Sequence, residues 1–320
     1  MAGDRVAHAP ADLHVHSSAS DGSDAPATLG PLAAAAGLST FALTDHDTTR
    51  GWESAAAGLP AGVTMVPGAE LSCRVATAGG TISMHLLAYL FDRTEPAFAA
   101  VRHRLRNARL ERIDGWEHRL RADGHGVSLD GLREQALSGV VGKPALVDLL
   151  LAEGLVPDRE TGFGPEWAGG RYRVPRWQWD VLDAIPAVRA AGGVSVFAHP
   201  LARLRGPVVT LDDIVRLAAA GLGGVEVDHP DHAPADRSAL RSFARKHGLL
   251  ALGSSDYHGT AKTQRLGAET TAQPVLDNLL VAGTGCAPMQ AAAAHAGPAA
   301  SADPAAAAAA PGVGRSRPAA

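Results

Sequence analysis

Histidines and carboxylates in this chain fall in tight groups at the ends of apolar runs. Asp12-Leu13-His14-Val15-His16 closes the first run, and Asp21 follows in the polar loop Ser17–Asp24. Residues i and i+2 on a strand point to the same side, so the imidazoles of His14 and His16 face one spot. Thr44-Asp45-His46-Asp47 ends a second run, Gly68-Ala69-Glu70 opens another, and His85 interrupts Ile82–Leu90. Phe197-Ala198-His199-Pro200 and Gly253-Ser254-Ser255-Asp256-Tyr257-His258 close two more. Imidazoles mixed with carboxylates suit several divalent cations, with Mn²⁺, Zn²⁺ or Fe²⁺ as candidates. The two cysteines, Cys73 and Cys286, form no CxxC pair, which excludes a thiolate zinc centre and a disulfide framework.

Elements that position these groups are legible as a rhythm. Strands are expected at Ala11–His16, Thr40–Leu43, Val63–Val66, Ala69–Ser72, Ile82–Leu90, Val194–Ala198, Gly224–Asp228 and Leu249–Gly253. Helices are expected at Ala27–Ala36, Thr49–Ala57, Asp212–Ala220 and Ala235–His247. Such alternation predicts an α/β fold with a mostly parallel sheet, closed or nearly closed into a barrel. In parallel barrels the C-terminal strand ends converge on one face, where catalytic residues collect. Between about 93 and 175 the rhythm changes. Val101, Leu105, Ala108, Ile113, Trp116 and Leu120 recur at helical spacing, predicting one long helix over Pro96–Ala122. A second helix near Pro144–Glu153 makes this region a helical insertion between barrel strands.

Of 320 residues, 46% are hydrophobic and 19% charged, enough to bury a full core. The net charge of −4 argues against a protein that coats nucleic acid non-specifically. No basic, apolar leader and no span-length apolar run is present, so a soluble cytoplasmic protein without a membrane role is expected. Residues 1–10 are expected to be flexible and 11–288 to form the barrel. The Ala/Pro-rich segment 289–320 is expected to be a disordered tail, since it lacks apolar surface to offset its chain entropy.

The segments DLHVHSSASDG (12–22), TDHDT (44–48), PGAE (67–70), MHLLAY (84–89), AHP (198–200) and GSSDYHG (253–259) resemble the PHP (polymerase and histidinol phosphatase) family of metallohydrolases. That resemblance implies a distorted seven-stranded β/α barrel with two or three divalent metals, Mn²⁺ foremost. Within the family, Arg106-Asn107-Ala108-Arg109 and the overall length resemble the branch that acts on nucleoside 3′,5′-bisphosphates and 5′-phosphorylated RNA ends. The implied substrate is therefore a small phosphorylated nucleotide or a short 5′-phosphorylated RNA, with no stable protein partner.

By that resemblance His14, His16, Glu70 and Asp256 hold one metal. Glu70 bridges to a second, completed by His85 and His199, while Asp21, His46 and His258 hold a third. Aspartate at position 21, where some family phosphatases carry histidine, follows the nucleotide-acting pattern. Hydrolysis would use water whose pKa two cations lower towards 7. His258 is a candidate for assisting the leaving oxygen, and Asp45 for orienting an imidazole from behind. Arg106 and Arg109 are candidate phosphate ligands, while Arg112 and Arg119 are expected on the surface beside carboxylates. The rival readings are a phosphomonoesterase for a non-nucleotide such as histidinol phosphate, and a non-catalytic metal-binding module. His229 and His232 are expected outside the metal site, though able to line a substrate pocket. Trp167, Trp177 and Trp179 are expected to pack rather than stack a base. Ala145 follows Gly142-Lys143-Pro144, where relatives often carry histidine, and Lys143 is a candidate replacement.

Overall fold

A computed structural model describes residues 10–138 and 141–291. The chain runs β1 (Ala11–Val15), α1 (Pro26–Ala35), β2 (Thr40–Leu43), α2 (Trp52–Ala57), β3 (Thr64–Thr77) and β4 (Gly80–Tyr89). The insertion follows as α3 (Pro96–Ala122), α4 (Asp130–Ser138), α5 (Lys143–Ala152) and α6 (Arg159–Phe163). Then come β5 (Trp179–Asp180), α7 (Val181–Ala190), β6 (Val194–Phe197), α8 (Leu211–Ala219), β7 (Gly224–Asp228), α9 (Pro234–His247), β8 (Leu250–Gly253), α10 (Gln273–Ala282) and β9 (Met289–Gln290).

Seven strands lie side by side in the order β1-β2-β3-β4-β6-β7-β8, with β5 and β9 both on β3. The ring closes through residues just beyond β8. Tyr257 bridges to Val15, with His16 N–H donating to Tyr257 C=O at 2.9 Å and Tyr257 N–H to His14 C=O at 3.2 Å. The result is the expected barrel, nearly closed and distorted. Among the described residues no helix is long and apolar enough to cross a membrane.

Two sequence expectations change. The runs 63–66 and 69–72 are one strand, because Pro67 and Gly68 mark a change of neighbour rather than a turn. Residues 64–67 pair with β2, and 68–77 pair with β4. The sheet is also less parallel than expected, since β4 runs antiparallel to both β3 and β6. Thr77 pairs directly with Gly80, a hairpin far too short for the crossover that parallel strands need.

The largest apolar cluster packs α1, α2, α7, α8 and α9 onto the strands through residues such as Leu29, Trp52, Ile185, Ile214 and Leu240. A second joins Leu13, Val66, Leu87, Val196 and Leu252 to Leu276 and Leu279 of α10. The insertion has its own cluster around Ile113, Trp116, Leu146, Leu150 and Tyr172. Only the start of α3 joins the barrel core: Glu95 caps it through Ala97 N–H and Phe98 N–H, and the Phe98 ring sits 4.7 Å from Phe91. The tail expectation is corrected at its start, because Met289 and Gln290 pair with Met65 and Thr64. Packing of Met289 onto the main cluster supplies the apolar surface that composition alone did not reveal. Positions 292–320 and 1–9 lie outside the described residues.

Candidate metal centre

Glu70 is the hub. It lies on β3 at a backbone bridge to His46, buried to 1% exposure. Its Oε2 is 3.2 Å from His14 Nε2, 3.1 Å from His16 Nε2 and 3.2 Å from His46 Nδ1. Its Oε1 is 2.8 Å from His85 Nδ1 and 3.1 Å from His199 Nε2. Asp256 Oδ1 lies 3.4 Å from both His14 Nε2 and His16 Nε2. Asp21 Oδ1 lies 3.4 Å from His258 Nε2, and its Oδ2 lies 3.6 Å from His46 Nε2.

All nine residues expected to ligate are therefore gathered in one place. Three groups have donor atoms within 4.8 Å of one another: His14/His16/Glu70/Asp256, His16/Asp21/His46/His258 and His46/Glu70/His85. The first matches the expected set. The second adds His16, and the third brings in His46 while His199 meets Glu70 from the other side.

The donor chemistry fits divalent cations. His14 Nε2, His16 Nε2, His46 Nδ1 and His258 Nε2 are buried without a hydrogen-bond partner. Buried polar atoms rarely stay unpaired, so converging unpaired imidazole nitrogens and carboxylate oxygens call for a shared cation. Electrostatics agree. Burial opposes charge on His14, yet Glu70, Glu226 and Asp256 hold its pKa well above the usual range. Burial pushes His46 down to about 3 and His199 to about 4, which keeps both rings neutral and able to coordinate.

Strained backbone aims several donors. His199 and Asp256 adopt left-handed φ of 32° and 54°, and Asp47, next to His46, has φ of 54°. Such conformations cost of order 1 kcal/mol or more and persist where the surroundings enforce them. Gly22 is required by a close approach: a Cβ there would stand 2.6 Å from the His16 carbonyl oxygen, blocking the loop that carries Asp21.

Four supporting groups were misjudged or missed in the sequence. Asp45 meets no imidazole directly and reaches His16 only through Ser20, whose Oγ lies 3.4 Å from His16 Nδ1. Its carboxylate accepts from Ser17 N–H at 2.8 Å, Ser17 Oγ at 2.7 Å and Ser20 Oγ at 2.5 Å, so it also holds the Asp21 loop. Asp12 does similar work, accepting from Ser255 N–H at 3.0 Å and Gly267 N–H at 2.8 Å; burial raises its pKa to about 6. His258 fits a ligand better than an acid. Its Nδ1 lies 2.8 Å from the Asp256 carbonyl, which can only accept, so the proton sits there and Nε2 faces Asp21 with its lone pair.

Glu226 was not singled out, yet it is the carboxylate behind the cluster. It is fully buried, lies 2.9 Å from His14 Nδ1, accepts from His199 N–H at 2.6 Å, and takes the Ser254 hydroxyl. Its pKa falls to about 2, because His14 and other rings outweigh the burial that opposes its charge. The available signal was a lone acid inside the apolar strand Gly224–Asp228. Glu226→Gln is expected to weaken metal affinity about 10–100-fold, the range for partners that orient ligand histidines. Titration of the metal-free protein with Mn²⁺ checks it, and an unchanged affinity would remove Glu226 from that role.

Asp256 Oδ2, turned away from the histidines, is held by Arg205 at 2.6 Å and Lys262 at 3.1 Å. His229 does not join the donors: its Nδ1 accepts from Asp231 N–H, and its Nε2 lies 3.8 Å from Asp256 Oδ2. His232 likewise faces backbone, with Nδ1 2.9 Å from the Val227 carbonyl.

On the His46 flank, Arg109 is neither solvated nor free. It is buried to 4% exposure, forms an ion pair with Asp47 and reaches the His46 carbonyl. The reason is register on α3, which turns this position towards the barrel mouth. Arg106 meets His103 at 3.1 Å and lines a cavity of about 160 Å³ with Asp47, Thr49, Arg50 and Arg102. Arg112 departs from expectation, being half-buried over the Trp116 ring with no carboxylate in ion-pair contact among the described residues. Arg119 binds the Arg171 and Arg173 carbonyls instead of an acid. On the opposite flank, His85 and His199 open onto a cavity of about 400 Å³ walled by Met84, Phe197, Pro207, Val208 and Arg205. Trp167 stacks on Tyr172 and Trp179 packs near Phe98, as expected; Trp177 is 37% exposed beside Arg104.

No family model matches the chain. It is 33% identical over 257 residues to the 3′,5′-nucleoside bisphosphate phosphatase of Chromobacterium violaceum, covering 79% of this chain and 89% of that protein. It is 31% identical to the phosphoribosyl 1,2-cyclic phosphate 1,2-diphosphodiesterase of Eggerthella lenta, covering 78% and 94%. It is 30% identical to the 5′-3′ exoribonuclease Rnm of Escherichia coli, covering 77% and 84%. A solved structure from Bifidobacterium adolescentis, assigned as a metal-dependent phosphoesterase, aligns with a TM-score of 0.73 at 31% identity, over 86% of this chain and 96% of that one. Kinship over more than three quarters of the chain, on a barrel whose mouth gathers imidazoles and carboxylates around one glutamate, places the chain in the PHP family of metal-dependent phosphoesterases.

Proposed function

We propose that this protein removes the 3′-phosphate of nucleoside 3′,5′-bisphosphates, as a cytoplasmic enzyme whose barrel and insertion act as one catalytic unit. The observation that carries the reading is Glu70, whose two carboxylate oxygens are met by five imidazoles carried by four strands or the residues just after them, β1, β2, β4 and β6. In this reading His14, His16, Glu70 and Asp256 hold one divalent ion, Glu70, His85 and His199 a second, and Asp21, His46 and His258 a third. Mn²⁺ is the first choice for this mix of nitrogen and oxygen donors. When bound, such ions polarise phosphoryl oxygens and make water a competent nucleophile at neutral pH.

The protein's own groups position rather than react. Glu226 keeps the His14 proton on Nδ1, so Nε2 presents its lone pair to the cluster. The Asp256 carbonyl does the same for His258. Asp45 and Asp12 fix the two loops that deliver Asp21 and Asp256. Aspartate at position 21 and identity with the C. violaceum phosphatase support a nucleotide substrate over histidinol phosphate.

The test is phosphate release with Mn²⁺ across nucleoside 3′,5′-bisphosphates, nucleoside monophosphates, phosphoribosyl cyclic phosphate, histidinol phosphate and short 5′-phosphorylated RNAs. The expected result is the highest kcat/KM on a bisphosphate, lost on chelation and restored by Mn²⁺. Preference for histidinol phosphate or the cyclic phosphate would replace the substrate assignment. No turnover on any of them, with no metal retained, would leave a binding module.

A further inference from the structure

The donor cluster is open on two sides. On the His46 flank the Asp21 side chain is 29% exposed, and on the other flank His85 and His199 are 31% and 11% exposed. Between them His14, His16 and Glu70 are buried to 1% or less. A phosphoryl group seated on the cluster therefore has room for a substituent on either side. A phosphomonoester carries one such arm; a phosphodiester carries two.

The flank beyond His85 and His199 is shaped by two elements that part company. The ladder between β4 and β6 starts at Leu86, and its last contact is Ala198 N–H to the His85 carbonyl at 3.2 Å. Residues 81–84 of β4 thus run on past the end of β6. The chain after β6 turns away over residues 200–209, through Gly206 at φ 138°, a backbone that favours glycine. Between them lies the cavity of about 400 Å³, within the range of about 300–1,000 Å³ usual for small-molecule pockets. Phe197 and Met84, 3% and 6% exposed, line it together with Ile82 and Val208. Among the described residues, none of the insertion borders it. Arg205 adds a flat cation. Its Nε and Nη2 are paired with Asp231 and Asp256 at 2.6 Å each, which holds the guanidinium plane in place. Bases stack on guanidinium planes of this kind, and an apolar lining favours a flat ring over a sugar or a free phosphate.

We infer that this cavity holds the base of a second nucleoside esterified to the phosphate under attack, so that the protein cleaves dinucleotide phosphodiesters as well as monoesters. The inference rests on the proposed phosphatase reading and extends it from one ester arm to two. In that reaction water adds its hydroxide to phosphorus, and the bond to the 3′-oxygen of the first nucleoside breaks. The 3′-oxygen leaves with the remaining proton. The phosphate stays on the 5′-oxygen of the second nucleoside, whose base lies between Phe197, Val208 and Arg205. Short RNA and free dinucleotides share this chemistry.

The experiment uses the full-length, Mn²⁺-loaded protein and three substrates with the same leaving group. They are 5′-phosphoadenylyl-adenosine, the 3′-methyl ester of adenosine 3′,5′-bisphosphate, and the bisphosphate itself. The dinucleotide and the methyl ester are both diesters and differ only in the arm that the cavity would hold. Stacking of one base is worth about tenfold, so wild type should favour the dinucleotide over the methyl ester by at least about that factor in kcat/KM. Val208→Trp on the loop and Ile82→Trp on β4 fill the cavity from two walls, and either should bring the ratio towards one. If only one of them folds, that one carries the test. Titration calorimetry with a dinucleotide whose leaving 3′-oxygen is replaced by CH₂ reads the same loss as binding, without turnover. Equal turnover of a 5′-phosphorylated trinucleotide assigns the cavity to RNA ends, and cleavage of the dinucleotide alone assigns it to free dinucleotides. No wild-type preference over the methyl ester, or an unchanged preference in the folded variants, overturns the inference. Turnover of the bisphosphate with neither diester cleaved overturns it too and leaves the phosphatase reading standing. No turnover of any of the three overturns the phosphatase reading, and the calorimetry then decides whether the cavity binds a base.

Discussion

Glu70→Gln is expected to lower kcat/KM by more than about 100-fold, beyond the 10–100-fold typical of residues that only orient ligands. Five imidazole nitrogens lie 2.8–3.2 Å from its two carboxylate oxygens. The amide keeps the shape but removes the charge and replaces one oxygen with an NH₂, which cannot coordinate. Elemental analysis should find fewer metal ions per chain than in wild type, while circular dichroism stays the same. Full activity with unchanged metal content would overturn the role of Glu70 as hub.

Arg109→Ala is expected to cost the fold about 3 kcal/mol, the lower end of the range for breaking a buried ion pair. Asp47 would keep its charge inside the protein, held by Ser72 N–H at 2.7 Å and Ser72 Oγ at 2.8 Å but with its ion-pair partner gone. Arg176 nearby offsets part of the loss. Urea denaturation of the metal-free protein measures it. An Arg109→Met, Asp47→Asn double variant should recover much of the stability, since no charge is then stranded. A loss below about 1 kcal/mol would mean that the pair is solvated and the insertion looser on the barrel than its geometry indicates.

The donor residues were legible because their chemistry is one-dimensional in origin. His14, His199, Asp256 and His258 stand at strand ends, and barrel topology brings strand ends together whatever else happens. Their supports were not legible, because each depends on a partner far along the chain. Nothing near Asp45 distinguishes a residue that orients imidazole from one that ties Ser17 and Ser20. Asp47 is turned towards Arg109 by a left-handed backbone step that no spacing rule anticipates. Glu226 sits within an apolar strand, where a lone acid reads as a surface position unless the sheet's neighbours are known. The fold was readable to the same depth: helix and strand periods survived, but the antiparallel placement of β4 depended on a hairpin between Thr77 and Gly80.

Closure of the barrel through Tyr257 ties the order of synthesis to the completion of the site. A ribosome releases His14, His16, Asp21 and His46 while Asp256 and His258 are still unmade. Tyr257 then docks its backbone between His14 and His16, and the residues on either side of it are the last two donors. The stitch that shuts the ring thus carries both final candidate donors with it, so the chain does not hold all nine of them together until residues 256–258 have docked on β1.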